Sequence, residues 1–197
     1  VIAPTLLKEI GVQFLSGKPA DLQPDLMRRV ARYRHQVFVE KLGWELQCNN
    51  GLEYDQFDRD DTVYVVAQND AQEVIGTARL LPTNRPYLLG EVFPQLMNGL
   101  PTPDSSEVWE LSRFAAVDFN AATTSALVQF SSPTAVGLLR ASLKHAASLG
   151  AKRLITVSPL GVERLLRKAG FMVHRAGPPM LIDGHPILGC WIDVEHF

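Results

Sequence analysis

The spacing of hydrophobic residues changes along the chain in a way that separates strands from helices. Val12-Gln13-Phe14-Leu15 alternates briefly before Gly17-Lys18-Pro19 breaks it, which predicts an opening strand, with a helix starting between Asp21 and Pro24. Leu26, Val30, Tyr33 and Val37 then recur at steps of four, three and four, one stripe of a helix over about 24–41 that Gly43 stops. Arg28, Arg32 and Gln36 fall largely off that stripe. Thr62 to Gln68 and Val74 to Leu81 are β-rich runs joined by Asn69-Asp70-Ala71-Gln72-Glu73, the pattern of a hairpin of core strands. Leu88 to Met97 is weakly helical around Pro94, Pro101 to Asp104 marks a turn, and Glu107 to Phe114 reads as a further strand. Ser132-Pro133 provides a cap and first helical residue for a helix over about 133–149, with Val136, Leu139, Leu143 and Ala146 inward and Gly150 at its end. A short buried strand follows at Leu154 to Val157, then a basic amphipathic helix from Val162 to Ala169 closed by Gly170. Pro179 to Ile182 and His185 to Val194 flank Asp183-Gly184, a strong hairpin dipeptide.

This order predicts one α/β domain over 1–197, a mixed sheet with helices on both faces, without internal repeat or domain boundary. Two stretches lack periodicity. Gln47 to Asp61 is an acidic loop in which Glu53, Asp55, Asp58, Asp60 and Asp61 oppose only Arg59; its length marks it as functional or disordered rather than a bare connector, and on the segment alone a solvated acidic loop is the plainer reading. Asp118 to Ser132, rich in Ala, Ser and Thr, reads as a mobile surface loop.

Composition narrows the class. With 46% hydrophobic and 20% charged residues in 197, the chain has the balance of a folding globular domain. A net charge of −2 lacks the footprint of a nucleic-acid binder, though it permits a local basic patch. Cys48 and Cys190, the only two cysteines, are far apart, which argues against a disulfide scaffold or structural zinc and for a reducing compartment. No apolar run approaches the roughly 18 residues of a membrane span, and Val1 to Ile10 lacks the pattern of a signal peptide, so a cytoplasmic location without membrane partners is expected.

Three polar clusters stand where folding alone would not ask for them. Arg34 and Phe38 are four apart, sharing a helix face, with Trp44 just beyond; such a group can hold a carboxylate and lay an aromatic wall against a cation or an adenine. The plainer reading is a buried aromatic pair beside a surface arginine. Asp55 and Asp58, three apart, can converge within one turn, but the run lacks the central Gly and terminal Glu of a calcium loop, and no metal is expected. Arg79, Glu110, Ser112 and Arg113 sit inside apolar strands, where charge is costly unless paired. Arg79 and Arg113 are therefore expected to meet Asp55, Asp58 or Glu110. Strict alternation puts Glu110 and Arg113 on opposite faces, so for both to serve one site the strand must bulge or end there. No GxGxxG, Walker A, GxSxG or HExxH pattern is present, and the five histidines show no ligand spacing.

Taken in order, Arg34-x-x-x-Phe38, Leu42-Gly43-Trp44, Asp55-Gln56-Phe57-Asp58, Arg79-Leu80-Leu81-Pro82 and Trp109-Glu110-Leu111-Ser112-Arg113-Phe114 resemble the signature of the acyl-homoserine lactone synthases, the bacterial quorum-sensing autoinducer synthases. The resemblance runs on through Gly161-Val162-Glu163-Arg164 and Arg175-Ala176-Gly177-Pro178-Pro179, so that it spans about residue 28 to Asp193. It implies a fold similar to the GCN5-related N-acetyltransferases. It also implies a two-step reaction: the amine of S-adenosylmethionine attacks an acyl carrier protein thioester, then the methionine carboxylate closes on its own γ-carbon and methylthioadenosine leaves. By the same resemblance Glu110, Arg113 and Asp58 are catalytic, with Glu110 the base, acting through water. Arg34, Phe38, Trp44, Asp55, Arg79 and Phe114 bind S-adenosylmethionine, which is a substrate, so no cofactor is implied. Leu111, Ser112, Leu139 and Thr156 line the acyl pocket, and Arg164, Arg167 and Lys168 dock the acyl carrier protein. Two other readings stay open. Arg167-Lys168-Ala169-Gly170-Phe171 resembles a turn of the acetyltransferase superfamily, although Ala115 to Ser132 lacks its Gly-rich pyrophosphate loop. A non-enzymatic lactone sensor would need neither Glu110 nor the basic helix.

Overall fold

A computed structural model describes residues 5–9, 11–120 and 132–194. Its contacts gather into two compact units, one drawn from 1–79 and 113–142 and the other from 80–112 and 143–197. The expected mobile loop at 118–132 falls largely on 121–131, outside the described residues.

The first unit opens with antiparallel strands β1 (Thr5–Glu9) and β2 (Val12–Gly17). After a 3₁₀ turn at Pro19–Asp21 comes helix α1 (Pro24–Arg34), with Pro24 at its first position, where a missing N–H costs nothing. The helix does not stop at Arg34. It widens into a π-helical segment, His35–Lys41, a rare form that concentrates at functional sites. Gly43 then turns the chain at φ +70°, and the Trp44 amide donates back to the Phe38 carbonyl at 2.9 Å, closing the helix end. Within the acidic loop lie two very short strands, β3 (Cys48–Asn49) and β4 (Leu52–Glu53), paired Cys48 to Glu53. Strands β5 (Val63–Asn69) and β6 (Val74–Pro82) form the expected hairpin, and the unit's sheet runs β1-β2-β5-β6. The predicted stripe is the buried one: Leu26 and Val30 pack with Leu22, Tyr64 and Val66, while Tyr33 and Val37 pack with Phe38, Ala115 and Val117. Each such side chain withdrawn from water contributes about 1.5–3 kcal/mol. Tyr33 adds a polar tie. Its hydroxyl accepts the Val117 amide at 2.7 Å and donates its one hydrogen to the Ile75 carbonyl (3.1 Å) or that of Val117 (3.0 Å).

The second unit takes the end of β6, a short helix α2 (Leu88–Val92), a 3₁₀ turn at Pro94–Met97, and most of β7 (Val108–Ala115). Helix α3 (Pro133–Ser148) begins in the first unit and ends in the second. Then come β8 (Arg153–Pro159), α4 (Val162–Lys168), β9 (Val173–Arg175), β10 (Met180–Ile182) and β11 (His185–Asp193). β7 and β8 pair in parallel from Val108–Arg153 to Leu111–Thr156, and β8 pairs antiparallel with β11, which also carries β9 and β10. The sheet is thus mixed, as the element order predicts. β1 and the three-residue β9 are additions that the hydrophobic pattern does not announce. Among the described residues no helix is long and apolar enough to cross a membrane.

Candidate functional site

The first unit holds a buried ion cluster built from four separate elements. Arg34 is the last α-helical residue before the π segment, and its side chain is 1% exposed, so the reading of a surface arginine fails. Its Nε donates to Glu53 Oε2 at 2.5 Å, and its two Nη atoms grip both oxygens of Asp58 at 2.7 and 3.0 Å. Arg79, on β6 and fully buried, donates through Nη1 to Asp55 Oδ1 at 2.6 Å and Asp58 Oδ1 at 3.2 Å. Arg113, on β7, reaches Glu53 Oε1 at 3.1 Å and Asp55 Oδ2 at 2.9 Å through Nη2. The guanidiniums therefore alternate with the carboxylates, and each pair is held by charge-assisted hydrogen bonds. The turn carrying the acids is self-organised: the Phe57 amide donates to Asp55 Oδ1 at 2.8 Å and the Asp55 amide to Asp58 Oδ2 at 2.7 Å.

Burial sets the electrostatics. It opposes the charge on Asp58, but the Arg34 guanidinium and its hydrogen bonds, with Arg79 and the Tyr64 hydroxyl, hold that carboxyl well below the usual range. Arg34, whose charge burial likewise opposes, is raised by Asp58 and Glu53. Tyr64 is pushed up by burial and by Asp58, to which its hydroxyl donates at 2.6 Å.

Arg113 has a left-handed backbone, φ +49°, in the middle of β7, and the ladder to β8 stops at Leu111. A non-glycine residue there carries strain that persists only when its surroundings over-determine it. The expectation of a bulge or an end in this strand meets a left-handed residue at Arg113, inside a strand that continues to Ala115.

An aromatic shelf adjoins the cluster. The Phe38 and Trp44 rings stack at 4.9 Å and 21°, brought together by the Gly43 turn, and Arg113 Cζ lies 5.7 Å over Phe38. Arg79 Cζ lies 5.7 Å over Phe57. Trp44 is 38% exposed, so this unit presents an open aromatic face beside fixed carboxylates, a surface suited to a cation. Phe114 is half-buried.

In the second unit Glu110 is fully buried, and its carboxylate accepts the Leu88 amide at 3.0 Å and the Leu89 amide at 2.6 Å, holding the start of α2. Leu111, Ser112 and Thr156 are buried there too, with Leu111 opposite Thr156 in the ladder. Leu139 is buried in the first unit's part of α3. On α4, Arg164 and Lys168 are exposed, and Arg167 pairs with Glu163 at 3.0 Å.

The structure thus joins Arg34, Asp55, Asp58, Arg79 and Arg113 in one network, while in the second unit the Glu110 carboxylate accepts two backbone amides. The reading of the acidic loop leaves Glu53 unassigned, although it bridges Arg34 and Arg113 while 1% exposed. Tyr64 is likewise unassigned. Among the described residues no cluster of His, Cys, Asp and Glu is placed to hold a metal ion.

The family described as Autoinducer synthase matches residues 21–196. An acyl-homoserine-lactone synthase of Acinetobacter nosocomialis is 55% identical over 183 residues, covering 93% of this chain and 100% of that protein. The crystal structure of TofI in a ternary complex with an inhibitor and MTA is 42% identical, covers 92% of this chain and 91% of that one, and superposes with a TM-score of 0.78. BjaI, a CoA-dependent acyl-homoserine lactone synthase with SAM and isopentyl-CoA, is 27% identical over 92% of this chain and 82% of that one, with a TM-score of 0.79. A candidate N-acetyltransferase from Lactobacillus plantarum, 18% identical over 93% of this chain and 99% of that one with a TM-score of 0.60, shares the fold alone.

Proposed function

The chain belongs to the autoinducer synthase family of acyl-homoserine-lactone synthases, and from that premise we propose that it makes its quorum-sensing signal by joining S-adenosylmethionine to an acyl group carried as a thioester on acyl carrier protein. The observation that carries this reading is the Phe38–Trp44 shelf beside the Arg34, Arg79 and Arg113 cluster. S-adenosylmethionine brings a sulfonium cation and a flat adenine, for which an open aromatic face flanked by carboxylates is complementary. Arg34, Asp55, Asp58, Arg79 and Arg113 fix the acidic loop so that this face is formed before the substrate arrives, and Phe38, Trp44 and Phe114 contact it.

In the first step the α-amine nitrogen attacks the thioester carbonyl. An amide forms, the C–S bond breaks and the thiol leaves. The amine must be neutral to attack, and Glu110 takes its proton through a water molecule. The carboxylate's two amide donors fix its direction. In the second step the methionine carboxylate attacks its own γ-carbon, the bond to the sulfonium breaks, and methylthioadenosine departs as the lactone closes. That step needs positioning more than proton transfer, a task for a rigid pocket wall. The acyl chain is received by Leu111, Ser112, Leu139 and Thr156, and the carrier protein docks on Arg164, Arg167 and Lys168. A coenzyme A thioester is the second reading of the donor, favoured by the likeness to a CoA-dependent synthase.

Trp44→Ala tests the shelf. The residue is partly exposed, so the fold survives, and the Michaelis constant for S-adenosylmethionine is expected to rise about tenfold, as losing roughly 1.4 kcal/mol of contact requires. The constant for the acyl donor stays put. Equal shifts in both would contradict the assignment.

A further inference from the structure

Next to α4 the second unit contains a cavity of about 370 Å³ lined by Leu160, Gly161, Glu163, Arg164, Arg167 and Arg175, a volume within the range of small-molecule sites. Three arginines and one glutamate are among its lining residues, an excess of positive charge around the cavity. Glu163 is buried and organises two of them: Oε1 lies 3.0 Å from Arg167 Nη2, and Oε2 accepts from Arg175 Nε. Arg167 Nε is itself committed to the Val173 carbonyl at 2.9 Å, which ties α4 to β9. Among the described residues Arg164 makes no ion pair. Flexible surface arginines gain little from an anion because ordering them costs rotamer entropy. For Arg167 and Arg175 that ordering is already done by a buried acid and, for Arg167, a backbone carbonyl.

We propose that this cavity is a phosphate subsite for the pantetheine arm of the acyl donor, with Arg164, Arg167 and Arg175 as its binding residues and Glu163 as the positioning residue that aims two of them. Guanidinium forks match phosphate oxygens in geometry as well as charge. The proposal rests on the reading of the donor as a pantetheine-borne thioester. It adds Glu163 and Arg175 to the machinery, and it separates phosphate recognition in the cavity from protein docking on the outer face of α4, where Lys168 stands.

The test is steady-state kinetics of the full chain with S-adenosylmethionine saturating and one acyl group carried on pantetheine, 4′-phosphopantetheine, 3′-dephospho-coenzyme A or coenzyme A. In the wild type, kcat/KM is expected to rise at least about tenfold from the pantetheine to the phosphopantetheine thioester, the scale of one charge-assisted contact. Arg175→Ala and Arg164→Ala each bring that ratio to within about twofold, while Glu163→Gln raises KM for the phosphorylated donor and leaves kcat in place. Lys168→Glu, outside the cavity, keeps the ratio. A step that appears only between dephospho-coenzyme A and coenzyme A overturns the proposal, since the phosphate then read is not that of the pantetheine arm. Equal use of phosphorylated and unphosphorylated donors by the wild type, or a ratio that survives in both arginine variants, overturns it. Calorimetric titration of 4′-phosphopantetheine against pantetheine reads the same contrast without turnover. A chain that forms no lactone from any donor therefore refutes the synthase reading, while the subsite is judged by binding.

Discussion

Asp58 is the most heavily engaged acid of the ion cluster: Oδ1 accepts from Arg34, Arg79 and Tyr64, and Oδ2 from Arg34 and the Asp55 amide. Removing its charge leaves Arg34 and Arg79 buried with too little compensation, a loss of about 3–5 kcal/mol by the usual cost of breaking a buried pair. Asp58→Asn is therefore expected to lose that much stability in urea melts at neutral pH, and a variant as stable as the wild type would remove the cluster from the account. The pH dependence follows from the same side chain. Its folded pKa is depressed, so its contribution is complete above the ordinary carboxylate value near 3.9 and declines as the pH falls below it towards the folded value. The stability gap between wild type and Asp58→Asn should accordingly shrink as the pH is lowered below about 4. Glu53 shows what residue types alone conceal. Nothing in an acidic run marks one of five acids as the bridge, because that choice is made by β3 and β4, two strands of two residues each.

Strand β6 passes through a crowded place at Gly76, where an added Cβ would lie 3.1 Å from the Ala67 Cβ, 3.2 Å from the Ala115 carbonyl and 3.3 Å from a Leu138 methyl. Backbone and core contacts of that kind yield little, so Gly76→Ala is expected to destabilise by about 1–3 kcal/mol, measured by thermal or denaturant unfolding. An unchanged midpoint would mean that α3 shifts freely. Helix α2 depends on a distant strand: Glu110 on β7 accepts its first two amides. In Glu110→Gln the side chain presents only one acceptor to those amides and cannot serve as base. A fall in kcat of at least about a hundredfold with little change in KM for S-adenosylmethionine is the expected result, and full activity would return Glu110 to a purely structural role. At this scale the periodic elements were legible. The stripe of Leu26, Val30, Tyr33 and Val37, the β5–β6 hairpin and the Asp183-Gly184 turn declare themselves through local spacing. The π widening after Arg34 and the left-handed Arg113 do not, since both are imposed by what the side chains meet in three dimensions. The paired charges could still be anticipated, because an arginine inside an apolar strand must find an acid.

Over the whole molecule the net charge of −2 hides an uneven distribution, with Arg164, Arg167 and Lys168 gathered on α4 and acids concentrated around 53–61. Rim charges of this sort steer an oppositely charged partner and are screened by salt within a Debye length of about 8 Å at physiological ionic strength. Reversing Arg164 and Lys168 together to Glu should raise KM for the carrier-protein thioester by at least about tenfold at low salt while KM for S-adenosylmethionine stays within about twofold; parallel changes in both constants would count against docking. The family resemblance was readable because its residues are spread over most of the chain in fixed order, whereas acyl length depends on pocket depth, which identities do not encode. The reaction itself is read by a mass-spectrometric product scan with S-adenosylmethionine and a panel of acyl carrier protein and coenzyme A thioesters, alongside acetyl-coenzyme A with a generic amine. Acyl-homoserine lactone together with methylthioadenosine in equal amounts is the expected result. Acetylated amine without lactone would contradict it.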